Sequence, residues 1–257
     1  MDTPADTAAR PTGPRWPRAV PLLGLALAAL ALLLVALPGP LYRHGLLELR
    51  AGFTSMQYGA WTALAAFALC VLGLVLARLG PARGRGRWAL LGLVLAAPAF
   101  ALPSAFRSRA RAVPPIHDIS TDTGHPPAFV AVLPLRSGAA NPAEYGGPEV
   151  ARQQHAAYPE LKPLALKVPR AEAFQRALEA ARAEGWEVVA TEPTEGRIEA
   201  TDTTFWWGFK DDVVVRVAQG PGGGSVVDVR SVSRVGRSDV GKNAARIRGY
   251  LRRLMGG

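Results

Sequence analysis

The sequence predicts a chain in two parts: a three-helix transmembrane anchor, then an α+β domain with helices packed on one face of an antiparallel sheet. Three observations carry that expectation. Three apolar segments without a charged residue lie within the first 106 positions, valine-rich alternating stretches fill the second half, and helical periodicity brackets those stretches on both sides.

At 257 residues, 49% apolar and with formal charge +10, the chain has the totals of a single basic domain of the kind that binds nucleic acid. The distribution of charge argues against that class. Residues 1–112 hold 12 Arg against 3 acidic residues, whereas 113–257 hold 18 Lys plus Arg against 17 Asp plus Glu. The excess of arginine belongs to the apolar half, and the remainder is nearly neutral.

The segments Ala19 to Leu37, Gly59 to Ala77 and Trp88 to Phe106 contain no Asp, Glu, Lys, Arg or His. Each runs about 19 residues, which at about 1.5 Å per residue crosses a hydrocarbon core of about 30 Å. Trp16, Tyr42, Tyr58, Trp61 and Trp88 fall near their ends, where amphipathic rings favour the headgroup region. Pro98 and Pro103 each remove a backbone donor and predict a kink in the third span. A cleaved signal peptide is disfavoured, because "PGPLYRHG" after the first segment is not a small-x-small site. Residues 46–57, "LLELRAGFTSMQ", read equally as a short interfacial helix or a loop. With no ionisable group at depth, the spans read as an anchor and not as a transport path. Cys70, the only cysteine, lies mid-span, so no intrachain disulfide can form.

Arginine counts set the expected orientation. Arg10, Arg15, Arg18, Arg78, Arg83, Arg85 and Arg87 fall on one side, and Arg43, Arg50, Arg107, Arg109 and Arg111 on the other. Seven against five favours a cytoplasmic N-terminus. The expected organisation is a cytoplasmic tail over 1–18, the anchor over 19–106, a basic linker over 107–112 and an exported domain over 113–257. The expected location is a bacterial inner (plasma) membrane with the C-terminal domain periplasmic or otherwise extracytoplasmic.

In the second half, residues 113–148 are Pro- and Gly-rich, with a short strand suggested at "AFVAVLPL". Helices are expected over Pro148 to Tyr158 and Arg170 to Glu184, the latter stopped by Gly185. Strands are expected over 186–192, 196–209, 212–218 and 225–235, the last two joined by a "GPGGG" hairpin. A hairpin symmetric about Gly222 sets Arg216 opposite Asp228, Val214 opposite Arg230 and Val215 opposite Val229. A tight turn at Lys210 and Asp211 would set Trp207 opposite Val214 and Phe205 opposite Arg216. Period-two alternation then puts Ile198, Ala200, Trp206, Val213, Val215, Val217, Val227 and Val229 on the face that receives the helices. Phe205, Trp207, Phe209, Val214, Arg216, Asp228, Arg230 and Arg234 take the other face. A final helix over Val240 to Met255 carries Val240, Ala244, Ile247, Leu251 and Leu254 as its apolar stripe, with Lys242, Arg246, Arg248, Arg252 and Arg253 around the remainder.

The stretches "YPELKPLALKV", "EGWEVVATE", "EATDTTFWWGFKDDVVVRV" and "VDVRSVSRVGRSDVGKNAARIRGYL", preceded by "PPIHDISTDTGHPPAF", strongly resemble domain-of-unknown-function family 1499. That family occurs in bacterial envelope proteins and plastids. The resemblance covers roughly 113–254 and implies a membrane-anchored member, but it brings no reaction, cofactor or catalytic residue. This chain has Val240 where the family's "GRSDLG-x-N" pattern usually has Leu.

Several motifs invite chemistry. Gly236-x-x-x-x-Gly241-Lys242 has the spacing of a phosphate-cradling loop, yet Asn243 stands where Ser or Thr would hold magnesium, and no second acidic strand follows. The plainer reading has Ser238 or Asp239 capping the last helix. A small anion held near Arg237, Ser238 and Lys242 is the sharper alternative. "HDISTDTGH" gathers His117, Asp118, Asp122 and His125, but the spacing fits no metal motif, and the residues suit turns. No metal, cofactor, nucleotide or nucleic acid is expected, and no G-x-S-x-G nucleophile elbow occurs.

The best candidate ligand face comprises Phe205, Trp207, Arg216, Asp228, Arg230 and Arg234, where guanidinium would meet phosphate or carboxylate and rings would cover an apolar tail. The plainer reading folds residues 113–160 over that face and neutralises Arg216 with Asp228. The basic last helix reads as a solvated face or as a contact for anionic headgroups. The favoured function is a non-enzymatic inner-membrane protein whose exported domain binds an envelope protein or anionic lipid. The alternative is a hydrolase or transferase acting on an envelope lipid or glycan, with Asp118, Asp122 or Asp202 as acid or base. No catalytic residue is assigned.

Overall fold

The computed structural model describes residues 16–256. Most of the tail over 1–18, including Arg10 and Arg15, lies outside the described residues. The chain divides into two compact units, one of residues up to Leu41 together with Gly45–Ala105, the other of Tyr42–His44 and Phe106 onward.

The first unit is helical. Helix α1 spans Trp16–Ala36 and is followed by the short α2, Pro38–Arg43. Helix α3 spans Leu49–Arg78, and α4 spans Gly86–Ala112. The stretches Trp16–Arg43, Leu49–Arg78 and Gly86–Ala112 are long and apolar enough to cross a membrane, with mean hydropathy of 2.8, 2.3 and 2.0. Pro98 and Pro103 lie inside a continuous α4, so the third span is uninterrupted. Residues from Leu49 are not a separate interfacial helix. They form the first turns of α3, since no proline interrupts the chain before Arg78.

Small residues hold the bundle together. Ala28, Ala31 and Val35 meet Ala63, Ala66, Ala96 and Ala99 in one buried cluster. A Cβ at Gly24 would stand 2.7 Å from the Cys70 sulfur and 3.1 Å from the Cys70 backbone nitrogen, so only glycine permits that approach. Large apolar side chains such as Leu33, Phe67, Leu90 and Val94 point outward. This arrangement suits lipid, and the three helices support membrane association.

In the second unit the strands are β1 (Asp118–Ser120), β2 (Leu164–Leu166), β3 (Glu187–Glu192), β4 (Arg197–Thr203), β5 (Lys210–Gln219) and β6 (Ser225–Ser233). The helices are α5 (Gly147–Ala157), α6 (Arg170–Ala183) and α7 (Lys242–Gly256). The sheet is antiparallel in the order β1-β6-β5-β4-β3, and β2 shares the β1 side of β6. The Gly-rich hairpin sets the β5–β6 register as its symmetry about Gly222 predicts: Arg216 faces Asp228, Val214 faces Arg230 and Val215 faces Val229.

The preceding turn lies elsewhere than expected. Lys210 and Asp211 belong to β5, and the reversal occupies residues 204–209. Thr204 and Phe209 close it: the Thr204 N–H donates to the Phe209 carbonyl at 2.8 Å, and the Phe209 N–H donates to the Thr204 hydroxyl at 2.8 Å. Gly208 supplies the left-handed residue, with φ 67°. Glu199 therefore faces Val214 and Arg197 faces Arg216, in place of Trp207 and Phe205.

Alternation gives the sheet two faces. Ile198, Ala200, Val213, Val215, Val217, Val227 and Val229 form the core against Phe174, Leu178, Ile247, Leu251 and Leu254 of α6 and α7. Trp206, expected in that core, sits in the β4–β5 turn and is 44% exposed. Tyr250, outside the expected stripe, is fully buried. Its ring stacks on Trp186 at 4.9 Å, and its hydroxyl donates to the Ala177 carbonyl at 2.9 Å. Burial pushes its pKa far above the ordinary phenol value.

The expected "AFVAVLPL" strand does not form. Those residues make turns and a single 3-10 turn at Pro134–Arg136. The buried Glu199 carboxylate accepts the amides of Val130 (3.1 and 3.0 Å), Ala131 (2.9 Å) and Val132 (3.0 Å), occupying donors that a strand ladder would use.

Candidate functional site

The expected ligand face is the sheet surface opposite the helices. Its β4, β5 and β6 positions present Glu199, Thr201, Asp212, Val214, Arg216, Asp228, Arg230 and Val232. Residues 121–145, which follow β1, cross this surface, with Phe129 and Val132 packed on Val214 and Val232. The charged groups beneath find partners among themselves and in the covering chain.

Arg230 donates from Nε and Nη2 to the two Asp118 carboxylate oxygens at 2.9 and 2.8 Å. It also donates to the carbonyls of Pro127 and Ala143, at 3.2 and 2.7 Å. The rings of Phe129 and Tyr145 lie 5.0 and 5.5 Å from its guanidinium carbon. Arg230 is 3% exposed. Burial beside Asp118 pushes the Tyr145 hydroxyl up to about 12.

Arg216 reaches Asp228 and Asp122, each at 2.8 Å, and the His125 carbonyl at 2.9 Å. Burial raises the Asp122 carboxyl, but the His125 N–H and Arg216 outweigh that effect and leave it below its ordinary value. Arg234 donates to both oxygens of Asp212 at 2.9 and 2.8 Å, and Arg136 donates to the same carboxylate at 2.5 Å. Desolvation opposes ionisation of Asp212, and the bond from Arg234 leads the effects that overcome it and lower its pKa.

The structure thus brings Arg216, Asp228, Arg230 and Arg234 onto one surface and separates Phe205 and Trp207 from them. Trp207 stacks on Phe209 within the β4–β5 turn at 5.4 Å, and Phe205 projects from that turn with 86% exposure. The reversal over 204–209 takes both residues out of the strands and so off that surface.

A second charged network was hidden from periodicity. Arg246, expected on the solvated side of the last helix, is 7% exposed and points to the sheet. Its Nη2 donates to Asp202 and Asp211, both at 2.6 Å, and its Nη1 donates to the Ser231 hydroxyl at 3.0 Å and to the Asn243 side chain. Asp202 and Asp211 face each other across β4 and β5, so one guanidinium holds both.

The glycine-lysine motif has a structural use. Asp239 accepts the N–H groups of Gly241 and Asn243 at 2.8 and 2.7 Å, and the Ser238 hydroxyl accepts that of Val240 at 3.1 Å. A carboxylate of the chain itself occupies the start of α7, while Arg237 and Lys242 are exposed. Burial raises the Asp239 carboxyl despite the two amides. Val240 precedes the helix with φ 55°, and so lies outside the stripe assigned to it.

Of the acid–base candidates, Asp118, Asp122 and Asp202 each sit against a guanidinium, of Arg230, Arg216 and Arg246 respectively. Among the described residues no group of three or more His, Cys, Asp or Glu side chains is placed to hold a metal ion. Asp122 instead caps its own turn, accepting the N–H groups of Gly124 and His125 at 3.1 and 2.9 Å.

These features define a class: an apolar helical anchor joined to an α+β domain whose sheet is covered by helices on one face and by ion-paired chain on the other. Residues 118–254 match the family model DUF1499, protein of unknown function, and the chain belongs to that family. Comparison with curated proteins and with solved structures gave no match.

Proposed function

We propose that the protein is a non-enzymatic binding protein of a bacterial inner membrane, its domain exported and its β4–β5 turn engaging the lipid surface. The carrying observation is Phe205, 86% exposed at a turn pinned by Thr204 and Gly208, with Trp206 beside it at 44%. A fixed turn that displays two large aromatics next to Lys210 suits the headgroup region, which takes rings and attracts cations. Leu135, also exposed, lines one surface with Gly208 and Phe209 and extends the apolar character. The tether supports the reading: residues 113–117 separate α4 from β1, a reach of at most about 22 Å. The enclosed arginine surface supports it differently, since Arg230 and Arg234 are already engaged by carboxylates of the chain.

The test uses the full chain with Cys70→Ala, labelled at Phe205→Cys with an environment-sensitive fluorophore and reconstituted in nanodiscs containing phosphatidylglycerol. Emission shifts to the blue and is quenched by lipids carrying a shallow spin label, relative to a label at Gln175→Cys, an exposed position of α6. Emission equal to that of the α6 label overturns the reading.

A further inference from the structure

The anchor carries an unassigned groove at the Arg18 end of its bundle. It has a volume of about 620 Å³ and is lined by Arg18, Ala19, Leu22, Leu23, Ala26 and Arg85. Arg85 is held in place by donating from Nη1 to the Arg18 carbonyl at 2.7 Å, which ties the loop before α4 to the first turn of α1. That bond uses one of the five N–H donors of Arg85. Leu22 and Leu23, exposed at 41% and 52%, continue the groove along α1 toward the apolar part of the span.

Charge identifies the occupant. Residues 16–105 contain seven arginines and one acidic residue, Glu48, which lies in the α2–α3 connection at the other end of α3 from Arg78. Among the described residues no carboxylate pairs with Arg18, Arg78, Arg83, Arg85 or Arg87, whereas thirteen close ion pairs are made within the second unit. Guanidinium groups above leucine walls match a phosphate joined to acyl chains.

We infer that the groove binds one anionic phospholipid, with its headgroup phosphate on Arg18 and Arg85 and an acyl chain along Leu22, Leu23 and Ala26. This site is independent of the β4–β5 turn, and its occupancy would fasten the first span to the third.

Native mass spectrometry of the full chain, released from micelles holding equal phosphatidylglycerol and phosphatidylcholine, tests the inference. Wild type retains one phosphatidylglycerol in preference to phosphatidylcholine. Arg18→Gln, at an exposed position, lowers that retention about tenfold. Arg85→Gln does the same, and Arg50→Gln on α3 has no effect. Leu23→Asp, which leaves both arginines, also lowers retention by spoiling the acyl wall. Equal retention of the two lipids overturns the assignment. So does retention unchanged in Arg18→Gln, or displacement of the lipid by millimolar inorganic phosphate, which would mark a free-anion site.

Discussion

The Arg230 guanidinium grips the Asp118 carboxylate as a two-bond fork, donating to both oxygens at 2.9 and 2.8 Å, with each side chain less than 5% exposed. Ser120 of β1 is the backbone partner of Arg230, so the pair stitches the start of the domain to its central hairpin. Removing one member of such a pair leaves a buried charge alone. Arg230→Ala is expected to cost about 3–5 kcal/mol of domain stability, and Asp118→Asn a comparable amount. Chemical denaturation of the full chain checks this. A fully stable Arg230→Ala protein would return Arg230 to the list of ligand groups.

Asp212 predicts an acid response. Its folded pKa lies below the ordinary carboxylate value, burial being outweighed first by Arg234. The stability it contributes is present above the unfolded pKa of about 3.9 and is lost as pH falls through the lower folded value. Asp212→Asn should therefore destabilise the domain at pH 7, with a smaller difference from wild type near pH 3. Urea unfolding at the two pH values measures the gap, and an equal gap at both would contradict the assignment.

The start of α7 predicts a contrast between neighbours. Asp239 accepts two amides there, while Lys242 is exposed. Asp239→Ala should cost about 1 kcal/mol, the usual worth of a helix cap. Lys242→Ala should stay within about 0.5 kcal/mol. Added nucleoside triphosphate should leave thermal unfolding of both unchanged; stabilisation that disappears with Lys242→Ala would revive the phosphate-loop reading.

Within the anchor, Gly24 approaches the Cys70 backbone too closely for any side chain. Gly24→Leu should loosen the packing of α1 on α3, which a disulfide-scanning pair placed across the two helices would report as slower crosslinking. Crosslinking at the wild-type rate would show that the interface tolerates bulk.

Much of this architecture was legible. Charge-free runs marked the three spans, and the glycines at 220–224 centred a hairpin whose pairs follow by counting. The β4–β5 turn was missed because "TTFWWGF" is rich in residues that favour strands, and only the Thr204–Phe209 closure shows it as a reversal. That error carried Phe205 and Trp207 onto the arginine surface. Arg246 was misplaced for a related reason. A helical wheel weighs polarity, and the Asp202 and Asp211 that draw Arg246 inward are 44 and 35 residues away in the chain. They meet only once the strand register is known. Strand β1 was hidden because Asp118 and Ser120 resemble turn formers, and its outer edge is satisfied by the Gln154 side chain, which exchanges two bonds with Ser120.

The side of the membrane that the domain occupies is the central claim. In whole cells expressing the full chain with Cys70→Ala, a membrane-impermeant maleimide should label Gln175→Cys before permeabilisation and Arg83→Cys only afterwards. Labelling of Arg83→Cys in intact cells, with Gln175→Cys protected until the membrane is opened, would contradict it.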